Sequence, residues 1–375
     1  MDVQSSVQER YGDGANQCES SLCCAVSYDP QYLKVIPQEV IERDYGCGDP
    51  SQYLKSGETV LDLGSGGGKI CFIASQIVGE TGKVIGVDMT PDMLKLARES
   101  APKVADEIGY SNVSFLRGHI EDLKTDLDLV DKFLAEHPVA SVGDYEELTR
   151  EIDRIGKEQP LIEDDSIDVI VSNCVLNLVS DVDKKQLFDE MYRVLKKGGR
   201  IAVSDIVSDE VSPDHLKNDS KLWSGCISGA LQEAEFVRML EDAGFHGIVV
   251  DNYEPEPWQI VEGIEYRSVT IVAYKGKEGP CIEKNQAVIY KGPWMQVVDD
   301  DGHIFCRGER MAVCEKTFNI MNSEPYKDQI IPVEPAIAVE TNEDMVCGEG
   351  ALRHPQETKK GVKPITTDSN QGNCC

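Results

Sequence analysis

The sequence predicts an α/β fold with a doubly wound sheet, and three observations support that prediction. Apolar runs typical of buried strands alternate with stretches of helical periodicity from about residue 55 onward. A glycine-rich segment follows the first apolar run directly and precedes the first helical stretch. The second apolar run ends in an aspartate. This alternation is typical of a mostly parallel sheet with helices on both faces.

Five strands are predicted as short apolar runs that are bounded by turn residues. They are TVLDLG (59–64), KVIGVDM (83–89), VSFLRGHI (113–120), SIDVIVSNCV (166–175) and RIAVSDIV (200–207). Helices are predicted at 67–79, from Pro91 in a first turn, from 183 to a stop at Gly198–Gly199, and at 233–243. GIVVDNYE and RSVTIVAYKG are expected to form a closing antiparallel pair.

The rest of the chain is expected to form separate segments. Residues 1–55 are predicted to be an irregular arm that carries cysteines, and residues 56–276 contain the sheet. Residues 121–165 are long, acidic and amphipathic, which predicts a helical insertion. Residues 277–340 are predicted to form a small β-rich domain, and residues 341–375 a flexible polar tail that ends in two cysteines.

Composition limits the classes of partner. The net charge of −30 argues against nucleic acid or an acidic membrane surface, because phosphates repel such a protein. The sequence shows no apolar stretch of 18 residues and no apolar leader, so a cytoplasmic protein without membrane spans is expected. A monomer is the simplest expectation.

The 13 cysteines are expected to be reduced in that compartment, so they indicate soft-metal or redox chemistry and not a disulfide framework. The sequence has no CxxC pair and no histidine pair at ligand spacing, so no structural metal is expected. Cys71, on the apolar stripe of the first helix, is expected in the core. Cys281, Cys306 and Cys314 are interpreted as core or edge residues of the β-rich domain.

The segment LDLGSGGGK (61–69) lies between a predicted strand and a helix, a context that favours nucleotide binding over tight packing alone. Its glycines would let the backbone approach a ligand. Asp88, twenty residues beyond Gly68, can accept both hydroxyls of a ribose. Asp62 suits a cationic ligand, which favours S-adenosylmethionine over NAD because the former carries an ammonium and a sulfonium.

This pattern, followed by Glu121 after the third strand, resembles the class I methyltransferases. The resemblance implies that Gly118, His119 and Ile120 lie near the adenine. The predicted cofactor contacts are Asp62, Gly64, Ser65, Gly66, Gly68, Asp88, Met89, Ile120, Glu121 and Asn173.

Three cysteines fall where this fold would hold its ligands, outside the carboxyl ends of the strands. Cys174 ends the fourth strand, Cys226 follows the fifth, and Cys47 precedes the first. Cys174 alone could be an ordinary core residue. Three converging thiolates would instead form a soft site that suits trivalent arsenic. The arsenic lone pair could attack the sulfonium methyl without a general base, so the protein would supply proximity and orientation.

YGCG, DLGSGGG, SNCVLNLV, SDI and LWSGCISGAL together resemble the arsenite S-adenosylmethionine methyltransferases, from about residue 17 to 275 and more loosely to about 320. The resemblance implies that Cys47, Cys174 and Cys226, with one cysteine of the arm, form the arsenic site. Cys174 and Cys226 would hold arsenic at the transfer step. The arm cysteines would receive or reduce it, through a transient disulfide that thioredoxin or glutathione resolves.

Some features depart from this pattern. The arm has Cys23 and Cys24 where one cysteine is needed, and the register counted back from Pro30 favours Cys24. The shortened arm and the 121–165 insertion leave the product range and the cofactor contacts open. The terminal pair Cys374–Cys375 could collect arsenite for delivery or bind metals nonspecifically.

Two other functions remain open at this stage. One is methyl transfer to carbon of a quinone or sterol, which leaves the three cysteines unexplained. The other is a thiol protein that sequesters or senses arsenite, which leaves the glycine loop and Asp88 unexplained. Methylation of arsenite or its thiol conjugates, for detoxification or organoarsenic biosynthesis, uses both features.

Overall fold

The computed structural model describes residues 7–8, 10–12, 14, 27–340, 343–345 and 351–358. The chain divides into two units, which meet in sequence between Lys275 and Gly276. Within the described ranges, every helix is too short or too polar to cross a lipid bilayer.

The first unit contains one sheet of nine strands. The strands are β1 (Thr59–Leu63), β2 (Lys83–Asp88), β3 (Val113–Arg117), β4 (Ile167–Asn173), β5 (Leu195–Ser208), β6 (Leu231–Gln232), β7 (His246–Tyr253), β8 (Gln259–Val261) and β9 (Ile264–Tyr274). Their order is β3-β2-β1-β4-β5-β9-β7, with β6 beside β5 and β8 beside β9.

Helices connect these strands. They are α1 (Pro30–Leu33), α2 (Gln38–Glu42), α3 (Lys69–Val78), α4 (Pro91–Ile108), α5 (Leu127–Glu136), α6 (Val142–Glu158), α7 (Lys184–Val194), α8 (Asp214–Lys217), α9 (Ser220–Ser224) and α10 (Glu233–Asp242). Single 3₁₀ turns span Pro50–Tyr53 and Leu176–Leu178. The described residues between 7 and 14 are helical, so the predicted irregular arm contains helical turns.

The strand pairing confirms the predicted doubly wound α/β class. β1 pairs in parallel with β2 and β4, β2 with β3, and β4 with β5. β9 is antiparallel to both β5 and β7, as predicted for the closing pair. The chain order reverses between β1 and β4, so a ligand crevice is expected at the carboxyl ends of these two strands.

Apolar side chains cover both faces of the sheet, which explains the continuous apolar runs of the central strands. Leu61 and Ile170 belong to the core on one face, and Val60 and Val171 to the core on the other. All four side chains are fully buried. The central strands therefore form a rigid base for the loops at their carboxyl ends.

The start of β5 differs from the prediction. The run LKKGG was expected to end the preceding helix, but α7 ends at Val194 and Leu195 already pairs with Ile167 of β4. The register then shifts before the regular pairing begins. Gly198 has a φ of +82°, and its amide donates to the Lys275 carbonyl at 2.7 Å. Glycine permits this bulged backbone, and the bulge adds residues to the strand.

The segment 121–165 contains α5 and α6 and lies beside β3. Arg117 of β3 forms ion pairs with Asp128 and Asp131 of α5. The two ends of the segment run side by side, because the Leu161 amide donates to the Lys124 carbonyl at 3.0 Å. The segment therefore adjoins the loop that follows β3.

The second unit contains small antiparallel sheets. Its elements are β10 (Ala287–Tyr290), β11 (Gln296–Val298), β12 (Ile304–Cys306), β13 (Arg310–Ala312), α11 (Glu315–Met321), β14 (Ile330–Val333) and α12 (Pro355–Thr358), with a 3₁₀ turn at Lys327–Gln329. The order β13-β10-β14 forms one sheet, and β11 pairs with β12. Cys314 is fully buried in this unit, whereas Cys281 and Cys306 are half-buried.

Replacing Phe72 should weaken the hydrophobic core behind the glycine loop. Its ring is fully buried and meets Phe115 edge-to-face, with centroids 5.7 Å apart. We expect Phe72→Ala to lower the free energy of unfolding by about 3–5 kcal/mol, because it leaves a cavity in a packed core. Chemical denaturation measures this loss. Phe133→Ala, at a half-buried position in α5, is the control, and an equal loss in both variants would contradict the prediction.

Candidate active site

The glycine loop joins β1 to α3. Gly64, Gly66 and Gly68 have positive φ values of 70°, 50° and 92°. A Cβ atom on Gly64 would lie 2.3 Å from Val175 Cγ1, and one on Gly68 would lie 2.7 Å from the Phe115 ring. Both the backbone conformation and the close packing therefore require glycine. Gly66 has open space at its Cβ position, so its backbone faces the crevice.

A cavity lies at the carboxyl ends of β1, β2 and β4, where the topology predicts it. Its lining includes the predicted cofactor residues Asp62, Gly64, Ser65, Gly66, Asp88, Met89, Ile120, Glu121 and Asn173. Gly68 is not part of this lining, because it packs against Phe115 and is the N-cap of α3. Gly118 lines the cavity as well, whereas His119 does not, and the place of both near an adenine stays a prediction.

Asp88 is fixed at the end of β2. One carboxylate oxygen accepts from the Gly66 amide at 2.9 Å, and the other accepts from the Thr90 amide at 2.7 Å. Burial raises the pKa of this carboxyl, and the backbone donors oppose that rise. The interaction between Gly66 and Asp88 connects the glycine loop directly to the residue predicted to bind a ribose.

Asp62 lines the cavity and is almost fully buried. The pKa of this carboxyl is raised to about 8, chiefly by burial; a hydrogen bond from Cys71 opposes the rise, and the nearby Asp44 and Asp88 contribute to it. The Cys71 thiol donates to Asp62 at 3.2 Å. Cys71 is in the core, as predicted, and it also holds a residue of the cavity. A cationic group would offset the unfavourable burial of this carboxylate.

The donor set of the cavity fits S-adenosylmethionine. Ser65 Oγ is buried, lines the cavity and has no hydrogen-bond partner in the described part of the chain. Buried polar atoms rarely lack partners, so this hydroxyl is available to a ligand. The carboxylates of Asp62 and Asp88 suit an ammonium group and a ribose, respectively. Together these groups match an adenosyl cofactor that carries positive charge.

Asn173, at the end of β4, holds the loop that carries Cys47. Its carbonyl oxygen accepts from the amides of Cys47 and Gly48 at 2.9 and 3.1 Å. Its amide nitrogen donates to the Gly48 carbonyl at 2.7 Å and to the Tyr28 hydroxyl at 3.0 Å. A Cβ atom on Gly46 would lie 2.2 Å from this amide, so the close approach requires glycine.

Cys47, Cys174 and Cys226 lie together in one buried apolar cluster. Cys47 and Cys174 are joined by a disulfide, with Cα atoms 5.9 Å apart. Reduced thiols were expected throughout, and this expectation is wrong for one pair, which is oxidised in the structure. The two residues are 127 positions apart, and only the fold brings them within bonding distance.

Cys226 completes the cluster. Its thiol donates to the Cys174 carbonyl at 3.1 Å. Cys174 and Cys226 have φ values of +59° and +60°, which are strained for residues with a side chain. Strained backbone of this kind concentrates at functional sites. Cys174 also lines the cavity, so the cysteine cluster adjoins the cofactor site directly.

Asp205 lies beside Cys47 and Cys174 in the structure, and the sequence did not single it out. Its carboxylate and the sulfur atoms of Cys47 and Cys174 all lie within 4.8 Å of one another. The side chain is fully buried, which raises its pKa to about 7. It accepts from the Leu176 amide at 2.9 Å and from the Asn177 side chain at 2.8 Å. The available signal was a charged residue inside the apolar run RIAVSDIV.

Aromatic residues lie beside the cavity and the thiols. Tyr45 and Tyr11 line the cavity, and the Tyr11 hydroxyl lies 3.8 Å from Cys226 Sγ. Trp223 is buried, and its indole donates to the Leu178 carbonyl at 3.3 Å. Cys18, Cys23, Cys24, Cys347, Cys374 and Cys375 lie outside the described residues.

Gly48→Ala should displace the Cys47 loop. A Cβ atom there would lie 2.5 Å from Ser204 Oγ. We expect a loss of about 1–3 kcal/mol of stability from overpacking, together with less of the Cys47–Cys174 disulfide. Thermal melting and peptide mapping of the oxidised protein measure these effects. Gly143→Ala is the matched control, because its Cβ would meet only Ser141 Oγ, at 3.7 Å. Wild-type disulfide content in Gly48→Ala would refute the prediction.

Asp62→Asn should change how stability depends on pH. The native carboxyl keeps its proton up to about pH 8, whereas the unfolded chain releases it near about pH 4. The native state therefore binds more protons in this window, and Asp62 lowers stability as the pH rises through it. The melting temperature of Asp62→Asn, relative to that of wild type, should rise as the pH increases from about pH 5 to about pH 8. A difference that does not vary with pH would contradict this assignment.

Comparison with known proteins agrees with this geometry. A family model described as "Methyltransferase domain" matches residues 54–162 and 145–244, and one described as "Domain of unknown function (DUF8838)" matches residues 277–363. The X-ray structure of an arsenic(III) S-adenosylmethionine methyltransferase from Chlamydomonas reinhardtii is 27% identical, with a TM-score of 0.54. The match covers 84% of this chain and 99% of that chain.

Curated relatives match over most of their length. The arsenite methyltransferase of Homo sapiens is 29% identical over 353 residues, which covers 88% of this chain and 84% of the relative. The arsenite methyltransferase of Aquipseudomonas alcaligenes is 33% identical over 345 residues, which covers 86% of this chain and 89% of the relative. This chain therefore belongs to the arsenite methyltransferase family.

Proposed function

We infer that this chain transfers methyl groups from S-adenosylmethionine to trivalent arsenic held by cysteine thiolates. One observation carries this conclusion: Cys174 lines the same cavity as the glycine loop, Asp62 and Asp88. Cys47 and Cys226 lie beside it in the same buried cluster. A methyl acceptor held there would therefore adjoin the methyl donor.

The cofactor would be held by groups of the first unit. Asp88 would accept the ribose hydroxyls, the backbone at Gly66 would approach the cofactor closely, and Asp62 would face the ammonium group. Ile120 and Gly118 would contact the adenine, because both line the cavity beyond β3. When bound, S-adenosylmethionine supplies a methyl group on a sulfonium, which a soft nucleophile can take.

The arsenic would be held by thiolates of Cys47, Cys174 and Cys226. Three thiols displace three hydroxyl groups of arsenite as water, which forms three arsenic–sulfur bonds and leaves the arsenic lone pair. No general base is needed, because this nucleophile carries no proton. Burial of the three sulfur atoms excludes water from the site. The protein supplies proximity and orientation.

The disulfide fits the electron balance of this reaction. Methyl transfer to a lone pair raises the formal oxidation state of arsenic by two. Its return to the trivalent state takes two electrons, which two of its thiolate ligands can supply. Their two bonds to arsenic break, the two sulfur atoms form a disulfide, the electron pair stays on arsenic, and a water oxygen fills the open position. Cys47 and Cys174 form such a pair. Two further thiols, from thioredoxin or glutathione, would then reduce this disulfide and leave as their own disulfide. The reaction therefore requires a reducing compartment such as the cytoplasm.

The central test uses purified protein, arsenite, a thiol reductant and methyl-labelled S-adenosylmethionine. Wild type should form methylated arsenic, which chromatography separates from arsenite. Cys174→Ser and Cys226→Ser should each lower the rate by at least about 100-fold, because one soft ligand is lost. Both variants should still bind the cofactor, as measured by calorimetry.

Cys306→Ser is the matched control, since this half-buried cysteine belongs to the second unit. It should methylate arsenite at the wild-type rate. Arsenite and cofactor binding without methylated product would overturn the proposal and indicate a thiol sensor. Full activity in Cys174→Ser would instead remove the arsenic-ligand role from that residue.

A further inference from the structure

Lys184 is a buried cation behind the cysteine cluster. It is the first residue of α7, and only 1% of its surface is exposed. Lysine is almost never fully buried unless it is paired, because removing an ammonium from water is costly. In sequence, Lys184 has no feature that separates it from the exposed Lys185 beside it. Its burial therefore requires an explanation from its contacts.

The ammonium of Lys184 contacts two different loops. It donates to Asp181 Oδ1 at 2.7 Å and to the Gly229 carbonyl at 2.8 Å. It also lies 5.3 Å from the centroid of the Trp223 ring, within the range of a cation–π interaction. Burial lowers the pKa of this ammonium, and Asp181 opposes that shift. The ammonium therefore contacts two loops at once, one that contains Asp181 and one that contains Gly229.

These two loops carry two of the three cysteines. The first runs from Cys174 through the 3₁₀ turn to Asp181, and the second runs from Trp223 through Cys226 to Gly229. They approach closely, since a Cβ atom on Gly229 would lie 2.1 Å from the Asn177 carbonyl oxygen. Gly229 therefore packs against the backbone of Asn177, and its carbonyl accepts a hydrogen bond from the Lys184 ammonium.

We propose that Lys184 is a positioning residue that sets the separation of the Cys174 and Cys226 thiols in the arsenic site. The identity of the ligand rests on the function proposed above. The ammonium acts through Gly229 and Asp181, and it does not touch the thiols. Trivalent arsenic needs its three sulfur ligands in a fixed pyramid, so a loop that moves away weakens binding even when every thiol is present.

Lys184→Met tests this inference, because methionine fills similar space without charge or donors. Equilibrium dialysis measures arsenite binding to the fully reduced, full-length protein. The arsenite that still binds to Cys226→Ser is subtracted, so that only binding at the proposed site is compared. We expect about 10- to 100-fold weaker binding, the usual effect of removing a group that orients a ligand. Affinity for S-adenosylmethionine should be retained. Lys185→Met is the matched control, since this lysine is exposed and pairs with Asp189 on the same helix.

The outcomes separate this inference from the proposed function. Wild-type arsenite affinity in folded Lys184→Met would overturn the positioning role and leave the function intact. Equal losses of arsenite and cofactor affinity would also overturn it, because they indicate general destabilisation. A wild-type protein that binds no arsenite would overturn both. If Lys184→Met does not fold, Asp181→Asn decides, since Asp181 is partly exposed and anchors the same ammonium. Weaker arsenite binding in that variant supports the role, and unchanged binding overturns it.

Discussion

The side-chain amide of Asn173 is the interaction on which the rest of the site depends. Asn173 ends β4, and its side-chain amide forms four hydrogen bonds, three of them to the backbone of the Cys47 loop. A sheet strand is rigid, whereas a glycine-flanked loop is not, so the amide transfers the precision of the strand to the loop. Cys174 is the next residue in the chain and therefore shares the same anchor. The two sulfur atoms meet because a single residue fixes both segments.

Burial of charge is a second constraint, and it links cofactor binding to stability. Asp62 and Asp205 are enclosed at the carboxyl ends of β1 and β5, and burial raises the pKa of each. Such groups lower the stability of the ligand-free protein at neutral pH. A cationic cofactor reverses this effect for Asp62, since it stabilises the ionised form. The buried Asp62 carboxyl thus lowers the stability of the ligand-free protein but favours binding of a cationic cofactor, a combination that is common at functional sites.

Much of this arrangement could be predicted from the sequence, because its signals are local. β1 to β4 are apolar runs bounded by turns, and the glycine loop between β1 and α3 has its own spacing. Cys174 was predicted at a strand end for the same reason, and it lies one residue beyond β4. The start of β5 was not predicted, since Lys196, Lys197 and two glycines are also typical of a helix end. The pairing of Leu195 with Ile167 makes this segment a strand, and that contact joins residues that are far apart in the sequence.

The residues missed in the site share one property: their roles depend on contacts between distant segments. Asp205 and Lys184 are ordinary charged residues in sequence, and only the fold shows that they are buried. The disulfide between Cys47 and Cys174 likewise joins segments that no local pattern connects. Burial of a polar side chain is set by everything that packs around it, so short-range patterns cannot report it.

The most direct test of the account is anomalous diffraction at the arsenic edge, from crystals of the reduced protein soaked with arsenite. We expect one arsenic peak in the first unit, bonded to the sulfur atoms of Cys47, Cys174 and Cys226, next to the cavity lined by Asp62 and Asp88. An arsenic atom bound only by other cysteines would contradict it.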